Sequence, residues 1–111
     1  MADIERTEDA RGVLVTLRGE HDVSTAPRIR DAAAVSDGLP LVIDLTEATF
    51  LDSSVLGVLL GASEASAQAS RPFHVVLGDH GAPAVRRVLD LSGFDQVLPI
   101  VSSVDEAFSP A

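Results

Sequence analysis

The chain has 111 residues, of which 46% are hydrophobic and 23% are charged, a composition typical of one globular domain with its own core. Its net charge of -9 argues against nucleic acid and anionic membrane surfaces as partners and is compatible with a basic protein partner. The absence of cysteine excludes disulfides, thiolate catalysis and cysteine-ligated zinc, and the absence of lysine excludes a P-loop lysine and Schiff-base chemistry. No apolar run approaches the roughly 20 residues that a membrane-spanning helix needs, so we expect a cytoplasmic protein.

The first predicted elements form a β-hairpin. Residues 3–8 nearly alternate between polar and apolar side chains, as expected of an edge strand. Residues 13–18 alternate in the same way, and we expect this second strand to be more buried than the first. A turn at residues 11–12 joins the two strands. We expect Gly19 to end the second strand.

An acidic loop and a short helix are predicted next. Residues 20–22 form the loop, and Ser24 or Thr25 can cap a helix over residues 25–35, in which Pro27 needs no N–H partner. Residues 36–38 should end this helix. The residues expected to face the core are Ile29, Ala32, Ala33 and Val35, and those expected to face solvent are Arg28, Arg30 and Asp31.

Residues 41–62, LVIDLTEATFLDSSVLGVLLGA, predict a buried strand, a polar reversal and a long helix. The strand ends at Asp44, and the polar segment 46–49 is expected to let the chain reverse. Asp52, Ser53 and Ser54 then offer N-capping side chains to the helix, which should stop at residues 70–72.

The last third of the chain continues the alternation of strands and helices. Residues 73–77 and 96–101 are predicted strands, separated by a loop at 78–81 and a helix over 83–91 that Gly93 caps. Ser102 or Ser103 should start a short helix over 104–108. The chain is thus predicted to be one α/β domain over residues 1–111, a mixed sheet of about five strands covered by about four helices.

Two stripes of side chains run along the predicted long helix. Those expected to face outward are Ser53, Gly57, Gly61, Glu64 and Gln68, and those expected to face the core are Val55, Val58, Leu59, Ala62 and Ala65. Glycine inside a helix costs about 1 kcal/mol relative to alanine, so the two outward glycines need a reason. Close approach of a partner's backbone would supply one.

The serines at the helix start have two interpretations. Capping alone would select the D-S-S tripeptide. Alternatively, one serine accepts a phosphate from an external kinase at a helix terminus whose N–H groups favour the added negative charge, while Asp52 and Asp22 repel it. Such a site would keep the fold nearly unchanged and would repel a partner docked over the two glycines.

A serine hydrolase or a metal site fits the sequence poorly. Ser53, a histidine base and Asp22 or Asp52 could be given catalytic roles, but the sequence L-D-S-S-V lacks the G-x-S-x-G elbow. Only His21 among the three histidines lies near the serines. No H-x-x-x-H or carboxylate-rich spacing is present, so we expect no enzymatic activity, no metal and no cofactor.

Three segments, taken in order, resemble the STAS-domain anti-sigma factor antagonist family. They are LRGEHDVSTA at 17–26, FLDSSVLGVLLG at 50–61 and APAVRRVLDLSGF at 82–94, followed by a final D-E-A. The likeness extends over nearly the whole chain. It implies a STAS-type fold and a partner-switching protein without catalysis of its own.

The resemblance also implies roles for individual residues. Ser53 corresponds to the serine that an ATP-dependent anti-sigma kinase phosphorylates, Ser54 is the alternative acceptor, and Asp22 lies near the phosphosite. The unphosphorylated form would bind the anti-sigma factor and free a sigma factor, and a metal-dependent serine phosphatase would restore it. The residues expected to contact the partner are Glu20, Asp22, Ser53, Ser54, Gly57, Gly61 and Glu64.

The sequence departs from the family pattern at two positions beside the expected site. Val55 stands where the family usually has glycine, which predicts a stiffer helix start. His21 replaces an aliphatic residue and would give the loop some pH sensitivity. The alternative function is a constitutive STAS scaffold or regulatory subunit, in which the serines act only as caps.

Overall fold

The computed structural model of the protein describes residues 2–34, 38–78 and 82–109. Its strands are β1 (Ala2–Asp9), β2 (Gly12–His21), β3 (Leu41–Asp44), β4 (Ala48–Leu51), β5 (Phe73–Val76) and β6 (Ile100–Val101). Its α-helices are α1 (Ala26–Ala32), α2 (Ser53–Gln68), α3 (Pro83–Ser92) and α4 (Val104–Ala107). The expectations made for Val35, for the helix end at 36–37 and for the loop residues 79–81 lie outside the described residues.

The six strands form one mixed sheet in the order β1-β2-β3-β5-β6, and β4 pairs with β2 beside this path. β1 is antiparallel to β2, whereas β3, β4, β5 and β6 are parallel to their neighbours. The predicted hairpin and the alternation of strands and helices are therefore confirmed. The sheet has one strand more than expected, β4.

Helices cover both faces of the sheet. The main core joins β2, β3 and β5 to α1, α2 and α3 and includes Val15, Ile43, Leu59 and Leu89, all fully buried. On the opposite face Val42 and Val76 pack with Ala107 of α4. Because β3 is covered on both sides, all four of its residues are buried, as its continuous apolar run predicts.

The prediction that Gly19 ends β2 is wrong. Gly19 adopts a φ of +80°, and the pairing with β4 shifts register between Gly19 and Glu20, so the strand bends there and continues to His21. Glu20 and His21 consequently belong to β2 rather than to a loop.

The polar segment after β3 does not reverse the chain. A turn, in which the Asp44 carboxylate accepts a 2.9 Å hydrogen bond from the Thr46 N–H, leads into β4, which runs in the same direction as β3. Glu47 fixes this turn to β2, because its carboxylate accepts from Arg18 at 3.1 Å and its carbonyl accepts from the Gly19 N–H at 3.1 Å. β4 thereby extends the sheet along the second half of β2.

The predicted strand over residues 96–101 is mostly wrong. Gly93, which caps α3 with a φ of +79° as expected, leads into a 3₁₀ turn over Phe94–Gln96. The Leu98 N–H donates to the Phe94 carbonyl at 2.9 Å, which keeps this segment compact and leaves only Ile100–Val101 as a strand. Ser103, rather than Ser102, caps α4.

Helix α1 stops at Ala32, at least three residues earlier than predicted. Arg6 of β1 reaches this end and donates to the carbonyls of Ala32 at 3.0 Å and Ala34 at 3.5 Å. A guanidinium at these carbonyls satisfies the unpaired acceptors of the helix terminus and complements its dipole.

Gly12→Ala should destabilise the fold more than Gly38→Ala. Gly12 has a φ of +145°, and an added Cβ would overlap the Pro40 carbonyl, which accepts a hydrogen bond from the Val13 N–H. Gly38 also has a positive φ, +70°, but a Cβ there meets no other atom of the described residues within 4 Å. We expect losses of about 3 and about 1 kcal/mol in the free energy of unfolding.

Urea unfolding of the two variants and the parent protein measures this difference. Equal losses would contradict the close approach of Pro40 to Gly12.

Candidate functional site

Asp52 alone caps the long helix α2. Its backbone is extended, and its carboxylate oxygen Oδ1 accepts hydrogen bonds from the Ser54 N–H at 2.9 Å and the Val55 N–H at 3.2 Å. Ser53 and Ser54 form the first turn of the helix and do not cap it, so the expectation that both serines cap is wrong. Within the described residues, neither hydroxyl has a hydrogen-bond partner.

The two serines differ in exposure. Ser53 is exposed, as its place on the outward stripe predicts, whereas Ser54 is half-buried. Val55 is fully buried in the first turn and fixes the helix start to the core. A kinase would therefore find the Ser53 hydroxyl more accessible than that of Ser54.

Pairing between β2 and β4 brings the acidic segment next to the helix start. Glu20 lies opposite Phe50, and His21 lies opposite Leu51. Asp22 and Asp52 each follow directly after this last pair. Because neighbouring strands are about 4.8 Å apart, both aspartates leave the sheet at one place. The structure thus brings together the two acidic residues that the sequence singled out.

The Asp22 carboxylate is held by Ser24. Its Oδ1 atom accepts from the Ser24 N–H at 2.9 Å and from the Ser24 hydroxyl at 2.5 Å. These two hydrogen bonds, the hydroxyl one first, lower the pKa of Asp22 below its ordinary value. The carboxylate is therefore a fixed negative charge beside the start of α2 at neutral pH.

His21 is a buried structural residue. Its Nε2 lies 2.9 Å from the Arg18 carbonyl, and its Nδ1 lies 3.1 Å from the Thr25 hydroxyl. Because a carbonyl can only accept, Nε2 carries a hydrogen, and the Thr25 hydroxyl lies between Nδ1 and the Asp22 carbonyl, to which it donates at 3.2 Å. The imidazole links the end of β2 to the start of α1. The prediction that His21 lies in a loop is therefore wrong.

The outward stripe of α2 lies as predicted. Ser53, Gly57, Gly61, Glu64 and Gln68 are all exposed. Outside the backbone of α2 itself, a Cβ added at Gly57 or at Gly61 would meet no atom of the described residues within 4 Å, so packing among those residues does not require glycine at either position.

The core stripe of α2 is partly corrected. Val55, Val58 and Leu59 are buried and Ala62 is half-buried, but Ala65 is exposed. Leu56 and Ser66 are buried instead. Ser66 is buried because its hydroxyl accepts a 3.1 Å hydrogen bond from Arg71, a polar contact that the apolar pattern does not indicate.

A groove between α1 and α2 is the feature that sequence patterns did not reveal. It encloses about 480 Å³ and reaches the stripe of α2 at Gly57 and Gly61. The residues that line the groove come from two separate segments of the sequence, and neither segment alone indicates a groove. The groove requires the packing of the two helices, which the sequence does not specify.

The described residues contain no group of three histidine, cysteine or acidic side chains placed to hold a metal ion. Over the same residues, no helix is long and apolar enough to cross a membrane.

Comparisons with known proteins identify similar chains. The profile of the STAS domain family matches residues 1–107. The anti-sigma-B factor antagonist of Listeria monocytogenes is 31% identical over 98 residues, which cover 86% of this chain and 83% of the relative. The anti-sigma F factor antagonist of Paenibacillus polymyxa is 35% identical over 98 residues, covering 84% and 81%.

A solved structure with the same fold is a crystal structure of an anti-sigma factor antagonist from Mycobacterium paratuberculosis. It matches with a TM-score of 0.81 and 32% identity over 96% of this chain and 91% of that one.

Ser24→Ala should raise the pKa of Asp22. The alanine removes the hydroxyl that stabilises the ionised carboxylate. In the parent protein this hydrogen bond stabilises the folded state above the ordinary aspartate pKa. That stabilisation is lost as pH falls through the lowered pKa of the folded state. NMR titration of the side-chain carboxyl carbons measures the change. The Asp9 carboxyl, whose pKa Arg11 lowers, is the internal reference and should not move. An unchanged Asp22 pKa would contradict the Ser24 contact.

Proposed function

Because this chain belongs to the STAS domain family, we propose that it is an anti-sigma factor antagonist. In its unphosphorylated form it binds an anti-sigma factor that is also a serine kinase, and this binding releases a sigma factor. The kinase inactivates it by phosphorylating Ser53, and a metal-dependent serine phosphatase reverses the reaction. The protein acts in the cytoplasm as a binding protein, not as an enzyme.

The observation that carries the proposal is that one residue, Asp52, caps α2 while the hydroxyl of the next residue, Ser53, takes no part in the cap. Asp52 caps α2, and the exposed Ser53 hydroxyl makes no hydrogen bond to a described residue that phosphorylation would break. Capping therefore explains the aspartate in the D-S-S tripeptide but not the serine that follows it. An external kinase supplies the base for phosphoryl transfer, so the site needs no histidine of its own.

A phosphate on Ser53 would act mainly through charge. It adds between about 1.5 and 2 negative charges at the end of α2, where the helix dipole and unpaired N–H groups stabilise anions. Asp22 and Asp52 already make this place negative. A partner that binds the unmodified surface through basic groups or close packing would meet a bulky, hydrated anion, while the fold itself changes little.

The surface proposed for the partner follows the outward stripe of α2. It comprises Glu20, Asp22, Ser53, Ser54, Gly57, Gly61 and Glu64. Ser54 is half-buried and the others named here are exposed. The bare backbone at the two glycines allows a partner to approach the helix axis more closely than any side chain would.

Ser53→Asp should weaken binding of the anti-sigma factor by at least about tenfold, or 1.4 kcal/mol, because it places a fixed negative charge where the phosphate would be. Ser53→Ala should bind within about twofold of the parent, since the hydroxyl has no hydrogen bond with a described residue to lose. Isothermal titration calorimetry with each purified candidate anti-sigma factor measures both. Ser54→Asp is the matched variant one residue along. Equal binding by the Ser53 variants would favour a constitutive scaffold, and loss only in Ser54→Asp would move the acceptor to Ser54.

Gly57→Ala should stabilise the folded protein and yet weaken partner binding. Alanine gains about 1 kcal/mol relative to glycine in a helix interior, and its Cβ would not meet any described residue that packs against α2. On the proposed surface the same methyl group would hold the partner away. Chemical unfolding and calorimetric titration measure the two effects on one variant.

Ala67→Gly, at an exposed position near the far end of α2, is the converse control, since it should cost stability without changing affinity. Unchanged affinity in Gly57→Ala would remove Gly57 from the interface.

A further inference from the structure

Among the described residues, the groove between α1 and α2 is lined by apolar side chains, glycine and arginine and by no carboxylate. It is lined by Arg30, Ala33, Ala34, Gly57, Val58, Gly61, Ala62, Ala65 and Arg71. Two guanidinium groups therefore border one depression on a chain whose net charge is -9. Such a groove attracts a negatively charged group on a peptide segment that is narrow enough to enter it.

Arg71 and Arg30 differ in what holds them. Arg71 is buried and donates from Nε to the Ser66 hydroxyl at 3.1 Å, so it belongs to the wall of the groove. Arg30 is exposed and has no hydrogen bond or ion pair with any described residue. By contrast, Arg6, Arg11 and Arg18 each pair with a carboxylate. The Arg30 guanidinium remains available to an incoming anion.

The guanidinium of Arg6, which pairs with Glu8, also reaches the end of α1. Arg6 donates to the carbonyls of Ala32 and Ala34 at this end, and Ala34 also lines the groove. Arg30 lies in the last turn of α1, where a cation complements the helix dipole. The helix dipole therefore explains why a basic residue stands in the last turn of α1, but it does not explain why that residue borders an open groove.

We propose that this groove receives an acidic segment of the anti-sigma factor, with one carboxylate paired to Arg30 and its backbone packed against Gly57 and Gly61. The inference rests on the proposed function, because the partner is the same. The groove is continuous with the proposed interface, since both glycines belong to both. At 1.5 Å per residue, Gly57 and Gly61 lie about 6 and 12 Å along α2 from Ser53. A partner that covers Ser53 therefore reaches the groove.

The charged residues differ between the two ends of the surface. Asp22 and Asp52 make the Ser53 end negative. At the groove end, by contrast, Arg30 supplies an exposed cation, and Glu64 lies one turn beyond Gly61. A partner must present a basic group at the first end and an acidic group at the second, which fixes its orientation and rejects partners with a uniformly basic face. Phosphorylation changes the first end only, so the groove contact contributes to partner choice rather than to the switch.

Arg30→Glu tests the groove against Arg28→Glu. Both arginines are exposed on α1, but Arg28 does not line the groove. We expect Arg30→Glu to weaken the anti-sigma factor complex by at least about tenfold and Arg28→Glu by less than about twofold, measured by calorimetric titration. Arg30→Gln, which removes the charge without reversing it, should fall between them. Thermal unfolding of each variant shows that the loss is not caused by melting of α1.

A charge reversal on the partner completes the test. Changing the responsible acidic residue of the anti-sigma factor to arginine should restore its binding to Arg30→Glu and weaken its binding to the parent protein. Parent-like affinity in Arg30→Glu, or equal losses in the two α1 variants, would overturn the groove assignment. Ser53→Asp reports separately on the switch, so either idea can fail without the other.

Discussion

The pairing of β4 with the second half of β2 is the constraint on which the site depends. β2 pairs with β3 along its first half and with β4 along its second, so both segments of the chain before α2 run parallel to it. Leu51 is fully buried at the end of β4, opposite His21, and the next residue on each strand is an aspartate. If β4 were a simple loop, nothing would fix the start of α2 relative to Asp22. The sheet therefore sets the charge around Ser53.

Rigid packing and a free hydroxyl coexist at the start of α2. Below the surface, Val55 and Leu59 are fully buried, and above it Ser53 forms no hydrogen bond with any described residue. Asp52 separates these two functions because it satisfies the first N–H groups itself. Valine at position 55, fully buried in the first turn, strengthens the packed side. The backbone of Ser53 is thus held in one place while its hydroxyl stays accessible to another protein.

Much of the architecture followed from periodicity and end signals, because those are local properties of the chain. Residues 53–68 showed both helical stripes, and Gly93 marked the end of α3 correctly. β4 was missed because it is only four residues long and two of those are exposed, so it shows no alternation. The position of Ser53 on an exposed stripe was predictable. The burial of His21 and the groove beside Arg30 were not, because both depend on contacts between elements that are distant in sequence.

The central claim is that Ser53 is the acceptor of a regulatory phosphate, and mass spectrometry tests it most directly. The purified protein is incubated with ATP and each candidate anti-sigma kinase from its own genome, and the intact mass and the modified peptide are then determined. The account predicts one added phosphate, located on Ser53 and absent from the Ser53→Ala variant. No phosphate despite a stable complex with one of the kinases, or a phosphate elsewhere in the chain, would contradict it.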